Sequence, residues 1–170
     1  MRGVGKTTVG SHLAALLGAT FFDLDTLVLR VLGYRDAREV FSAVGEPVWR
    51  AGEASALRRA LSSAAPEHKT RVIAVGAGAP CDPVCHALLQ ESRTQGWRIM
   101  HLDAPNAVLV ARLTNDLALR PPLTDLPREA EVRELSARRA SAYASLADAV
   151  VDAAASPDSV ARSVAAALSG

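Results

Sequence analysis

Lysine is almost missing from this chain of 170 residues, which holds only Lys6 and Lys69 and takes the rest of its positive charge from arginine. An arginine bias of this kind fits a GC-rich coding sequence, and it gives weight to any lysine that stands inside a motif. Cysteine is as scarce. Cys81 and Cys85, with His86 beside the second, can be drawn as a metal cluster. The second ligand pair of a structural zinc site is lacking, which favours reduced, helix-associated cysteines. No charge of one sign dominates, since 19 Lys+Arg stand against 18 Asp+Glu, so nothing points to a nucleic-acid or membrane surface. No apolar run approaches the ~18–20 residues that span a bilayer, and no charged, apolar and cleavage-site series marks a secretory leader. Internal repeats are lacking too. These exclusions leave one domain, residues 1–170, long enough for a complete core and expected in the cytoplasm.

One of the two lysines stands in Gly3-Val4-Gly5-Lys6-Thr7. This reads as the last part of the P-loop pattern G-x-x-x-x-G-K-[ST], whose backbone N–H groups cradle phosphates, whose Lys reaches the β/γ-phosphates and whose hydroxyl meets Mg²⁺. The pattern's first Gly would fall one position before Met1. A P-loop follows a buried strand, and no residues precede the loop here to form one. Such a strand, with a few buried apolar side chains at ~1.5–3 kcal/mol each, would contribute an amount comparable with the whole stability of a domain. Two readings stay open: a start placed too far downstream at an internal Met, or a truncation that has lost activity.

Behind the loop, apolar spacing predicts a helix over Thr8 to Leu17 ending at Gly18, with its N-terminus aimed at the loop, where the helix dipole favours phosphate. Ala19 to Leu24 reads as a strand closed by Asp23 and Asp25. Helical patterns follow over Thr26 to Leu32 and Ala37 to Leu61, the second interrupted around Gly45-Glu46-Pro47. Arg71 to Val75 reads as a buried strand ending in Gly76-Ala77-Gly78. Asp82-Pro83 starts a helix, with Asp as cap and Pro in its first turn. Trp97 to Leu102 is the next strand, with a helix opening at Pro105. The polar, Pro-rich segment 115–128 reads as a lid. A helix over Glu129 to Ser145, a strand over Ala149 to Val151 and a helix from Pro157 complete the chain. Strands alternating with helices predict an α/β domain with a parallel sheet.

With Asp23-x-Asp25, Trp49-Arg50-x-x-Glu53, Gly76-x-Gly78, Arg120-Pro121 and Arg139-x-x-x-Tyr143 in order behind a P-loop, the chain resembles the shikimate kinase family over nearly all of its length. The resemblance implies a P-loop three-layer sandwich: a parallel sheet, five-stranded in the family and without its first strand here, flanked by helices and carrying a lid. It implies transfer of the γ-phosphate of ATP to the 3-hydroxyl of shikimate, with Mg²⁺ as the metal. Phosphoryl transfer of this kind rests on positioning and on cations around the moving group.

Carried over position by position, the resemblance implies nucleotide contacts at Gly3, Val4, Gly5, Lys6, Thr7 and Thr8, and metal contacts at Thr7 and Asp23. Lys6, Asp25 and Arg120 are implied as catalytic. Asp25 would bind substrate hydroxyls and take the attacking hydroxyl's proton, although an Asp after a strand also serves as a helix cap. Arg50 and Arg139 match the pair that grips the substrate carboxylate, Glu53 would orient Arg50 from one turn away, and Gly76, Ala77 and Gly78 complete the substrate site. Arg120 matches the lid arginine that closes on the phosphates, while Arg112 and Pro157 correspond to the region against adenine.

Departures accompany the matches. Ala77 replaces the middle residue of a glycine triplet, where an added Cβ would crowd the pocket or strain a residue needing positive φ. Ser141-Ala142 replaces Pro-Leu before Tyr143, and the stretch from Arg112 to Arg120 is about one residue long against the family pattern. Rival readings are a kinase of another small hydroxy acid such as gluconate, a cyclitol kinase, or a kinase-like fold that binds metabolite without catalysis. The expected partner is a small molecule, handled by a monomer.

Overall fold

The computed structural model describes residues 1–62, 70–115 and 124–169. Its first helix, α1 (Lys6–Leu17), begins two residues before the predicted Thr8, so the lysine and both threonines of the loop already lie in its first turn. Gly18, in the left-handed conformation, stops it by donating its N–H to the carbonyls of Ala14 and Ala15. Strand β1 (Thr20–Asp23) leads directly into α2 (Leu24–Leu32), which starts earlier than expected because the Asp23 carboxylate caps it, accepting from the N–H of Thr26 at 3.1 Å.

The predicted break at Gly45 is real: α3 (Ala37–Ala43) ends before it, and α4 (Gly45–Ser62) starts there with Pro47 in its first turn. β2 (Arg71–Ala74) runs into Gly76–Gly78 and a 3₁₀ turn at Ala79–Cys81. Helix α5 (Pro83–Thr94) carries the predicted Asp82 cap, whose carboxylate accepts from the N–H groups of Val84 and Cys85.

The strand expected from Trp97 is shorter: β3 spans Met100–Asp103. Trp97 instead folds back against α5, its N–H donating to the Ser92 carbonyl, and its ring lies 4.9 Å below the Arg71 guanidinium. α6 (Asn106–Asn115), α7 (Arg128–Leu146), β4 (Ala149–Asp152) and α8 (Pro157–Ser169) complete the described elements. The expected lid at 115–128 is thereby trimmed, since Asn115 closes α6 and Arg128 opens α7. Residues 116–123 of it, Arg120 included, lie outside the described residues.

The strands form two parallel pairs, β1 with β2 (Thr20 opposite Arg71) and β3 with β4 (Met100 opposite Ala149). Helices cover both faces. Val72 and Leu102 pack into one core with Val9, Leu13, Leu109 and Val160, whereas Val75, just after β2, and Ile99, just before β3, pack into a second with Val28, Leu57 and Leu89. The strand residues are mostly half-buried, with Val151 buried and Val150 exposed. The result is an α/β, three-layer arrangement, as expected.

Candidate active site

The phosphate loop is shaped by its glycines. Gly3 and Gly5 adopt φ of 73° and 95°, a conformation open to glycine and strained for other residues. A Cβ on Gly3 would also press into the Leu113 side chain at 3.0 Å. Val4 sends its side chain into the core, 1% exposed, and so offers a ligand only its backbone. Lys6 donates from Nζ to the Met1 carbonyl at 3.0 Å, folded over the loop. Thr7 donates its hydroxyl to Asp23 Oδ2 at 2.7 Å, while Thr8 is exposed in the same turn. A hydroxyl and a carboxylate beside a helix N-terminus and a lysine are the hard oxygen donors and positive field that suit a magnesium–phosphate pair.

Around the carboxyl ends of β1 and β2 a second group of polar residues gathers. A side chain at Gly76 would collide with the Glu53 carboxylate and stand 2.8 Å from Asp25 Oδ1, and one at Gly78 would collide with the Arg50 guanidinium. Close approach, with φ outside the positive region, explains both glycines. Arg50 is held on two sides, by Glu46 Oε1 at 2.7 Å from Nη2 and by Glu53 Oε2 at 2.5 Å from Nη1. Ala77 uses its carbonyl to accept from the Tyr143 hydroxyl at 2.7 Å. That bond ties α7 to the Gly76–Gly78 turn at Tyr143, one helical turn after Arg139. Nη1 of Arg139 is buried and finds no hydrogen-bond partner among the described residues.

Burial sets the electrostatics. It pushes the Glu53 carboxyl above the usual range, with Arg50 pulling the other way and Asp25 adding to the rise. For Arg50, burial acts to lower the pKa, but Glu53 and Glu46 together outweigh it and the guanidinium is held more firmly protonated. The Tyr143 hydroxyl is pushed up to about 12, chiefly by burial, so it stays a donor to Ala77.

The structure therefore joins Thr7 to Asp23 next to Lys6, gathers Asp25, Arg50 and Glu53 around Gly76 and Gly78, and ties Ala77 to Tyr143, one helical turn after Arg139. Arg112 has a different neighbourhood from a lone helix-surface charge: its guanidinium donates to the carbonyls of Ala153 at 2.9 Å and Ala154 at 3.1 Å and reaches that of Val4 at 3.5 Å. It clamps the phosphate loop to the turn before Pro157, which itself is exposed at the start of α8. Glu46 was not singled out from the sequence, although its i, i+4 spacing to Arg50 is the signal that marks it. His101, edge-on to Tyr143 with ring centroids 4.8 Å apart, had no such signal because the contact is tertiary. Cys85 is buried, its thiol pushed up to about 12 mainly by burial, and the exposed Cys81 lies in the 3₁₀ turn.

The family model "Shikimate kinase" matches residues 2–169. A shikimate kinase of Novosphingobium aromaticivorans is 37% identical over 113 residues, 66% of this chain but only 55% of that protein's length. Shikimate kinase 2 of Yersinia pestis (strain Pestoides F) is 33% identical over 171 residues, covering 99% of this chain and 92% of its own. Among solved structures, shikimate kinase from Acinetobacter baumannii in complex with shikimate superposes with a TM-score of 0.84 at 28% identity, over 98% of this chain and 87% of that one. By its sequence over almost its full length, and by the fold that sequence adopts, the chain belongs to the shikimate kinase family.

Proposed function

We propose that this chain transfers the γ-phosphoryl group of ATP to the 3-hydroxyl of shikimate, a step toward chorismate and the aromatic amino acids. The observation that carries the substrate assignment is the buried Nη1 of Arg139, without a hydrogen-bond partner among the described residues and one helical turn before the Tyr143 that bonds Ala77, with the Arg50 guanidinium lying over Gly78. Two cations around one turn suit a carboxylate, and Asp25 beside Gly76 is an acceptor for hydroxyls.

Magnesium-bound ATP, when present, supplies the activated phosphoryl group. The backbone N–H groups from Gly3 to Thr8 and the α1 N-terminus would hold its phosphates, Lys6 would neutralise their charge, and Thr7 with Asp23 would hold the metal. Asp25 orients the attacking hydroxyl and accepts its proton. Arg112 acts on the nucleotide side by fixing the Ala153–Ala155 turn against Val4, and Pro157 borders the same region. Arg120, which lies outside the described residues, keeps the lid role that the family resemblance implies for it. The protein works as a cytoplasmic monomer in this reading; among the described residues no helix is long and apolar enough to cross a membrane.

The test compares shikimate, its carboxamide and gluconate as acceptors for the full chain and for Arg139→Ala. The parent is expected to prefer shikimate strongly. Removing the guanidinium should cost ~2–4 kcal/mol of transition-state binding, roughly 30- to 1000-fold in kcat/KM, and most of the preference for acid over amide. Equal use of acid and amide by the parent rejects the carboxylate clamp, and faster turnover of gluconate replaces the substrate.

A further inference from the structure

The turn after β2 has little stiffness of its own. Glycine flanks Ala77 on both sides, and Gly78, at φ −93° and ψ −22°, has no Cβ to stop its φ from turning positive. The peptide between Ala77 and Gly78 can therefore rotate at small conformational cost. A trans peptide points its C=O and its N–H in opposite directions, and no peptide bond among the described residues is cis. Whatever fixes the Ala77 carbonyl thus also fixes the direction of the Gly78 N–H. That N–H donates to no backbone carbonyl among the described residues, and the Gly78 backbone lies against the Arg50 guanidinium.

One side chain holds that carbonyl. Tyr143 donates its hydroxyl to Ala77 at 2.7 Å from a position 66 residues away in sequence. Its ring is poorly placed to follow a moving turn, being buried and set edge-on against His101 with centroids 4.8 Å apart. The hydroxyl has a second polar neighbour. Burial pushes it up to about 12, while Arg139 acts the other way by charge and by side-chain hydrogen bonding, so the guanidinium lies against the phenol oxygen. A phenol has one proton to donate and lone pairs to accept with. The proton goes to Ala77 and a lone pair faces Arg139, which sets Tyr143 between the turn beside Arg50 and the arginine of α7.

We propose that Tyr143 is a positioning residue of the acceptor site: its hydroxyl sets the rotation of the Ala77–Gly78 peptide and steadies the Arg139 guanidinium, so that the Gly78 N–H, Arg50 and Arg139 meet one carboxylate. This rests on the reading of shikimate as the acceptor. Ala77 belongs to the same device. Its Cβ narrows the freedom of the turn at its centre, where glycine would leave three permissive residues in a row. Tyr143 acts through Ala77 and Arg139 rather than on the reacting atoms, so its loss falls on acceptor binding and leaves the transfer step and the nucleotide side intact.

The experiment compares four full chains: the parent, Tyr143→Phe, Ala77→Gly and the double variant. Kinetics with shikimate and with ATP, titration of shikimate without ATP, and the NMR order parameter of the Gly78 amide in the free protein are measured on each. Tyr143→Phe keeps the ring and removes the hydroxyl. It is expected to raise the KM and Kd for shikimate roughly tenfold, with kcat within about threefold and the KM for ATP unchanged, and to lower the Gly78 order parameter toward the flexible range below about 0.6. Ala77→Gly alone should change the shikimate KM less than about threefold, because the hydroxyl still holds the carbonyl, and the double variant should exceed the product of the two single effects. A merely structural role would lower kcat with both KM values unchanged, and that outcome overturns the proposal. So does a double variant equal to the product. If Tyr143→Phe does not fold, Ala77→Gly carries the test through its order parameter, which must stay at the parent's value; a fall overturns the hold of Tyr143 on the peptide. Failure of the parent to bind shikimate would instead overturn the acceptor reading and the carboxylate part of the proposal, while the order parameters, which need no substrate, still decide whether Tyr143 holds the peptide.

Discussion

At the residue scale, function hangs on a few side chains whose neighbours were partly visible in the sequence. Lys6 stood out because only one other lysine exists, and the structure lays it across the loop onto the Met1 carbonyl. Lys6→Ala is expected to abolish phosphoryl transfer while the melting transition stays in place. Residual activity within about tenfold of the parent, only ~1.4 kcal/mol in the barrier, would remove Lys6 from the transferring phosphate. Arg50 and Glu53 were legible as a helical i, i+3 pair. That Glu53 is 1% exposed and wedged against Gly76 was not, since a helix sequence does not say which loop covers it. Ala77 raised the concern of a crowded pocket, and the structure gives it a definite task, holding Tyr143 through its carbonyl.

At the element scale, caps and breakers were the readable signals and strand ends the poor ones. Asp82-Pro83, Gly18 and Gly45 mark their helices as expected because each acts on its own backbone. Trp97 left the expected strand because its ring finds the Arg71 guanidinium, a contact 26 positions away by sequence number that no local pattern encodes. Asp23 combines two tasks, capping α2 through Oδ1 and accepting from Thr7 through Oδ2. Two substitutions separate them. Asp23→Asn keeps an acceptor for the cap, so stability should change little while the magnesium concentration for half-maximal activity rises. Asp23→Ala should show the same magnesium defect and also lose ~0.5–2 kcal/mol of stability, measured by denaturant unfolding. If the Asn variant keeps the parent's magnesium dependence, Asp23 serves as a cap only.

At the scale of the whole molecule, the buried Met1 amine couples stability to pH. The amine titrates near 8.0 when unfolded and at about 4 in the fold. A depressed folded value means that between those limits the unfolded chain holds a proton the folded chain lacks. Its contribution is complete above about 8, declines as pH falls toward about 4, and then levels off. Melting curves of the 170-residue chain from pH 8.5 to 5 should show that decline, and N-terminal acetylation should flatten it. An unchanged slope after acetylation would assign the decline to other groups.

The sequence by itself determined the α/β class, the phosphate loop, the helix caps and the family, because each rests on residues near one another in the chain or on motifs in a fixed order. Which arginine stands over Gly78, where Tyr143 anchors, why Arg112 faces carbonyls, and which strands pair were decided only by the tertiary structure. Those arrangements come from packing between elements far apart in sequence, where burial and close approach set what a side chain meets, and neither is written in local pattern.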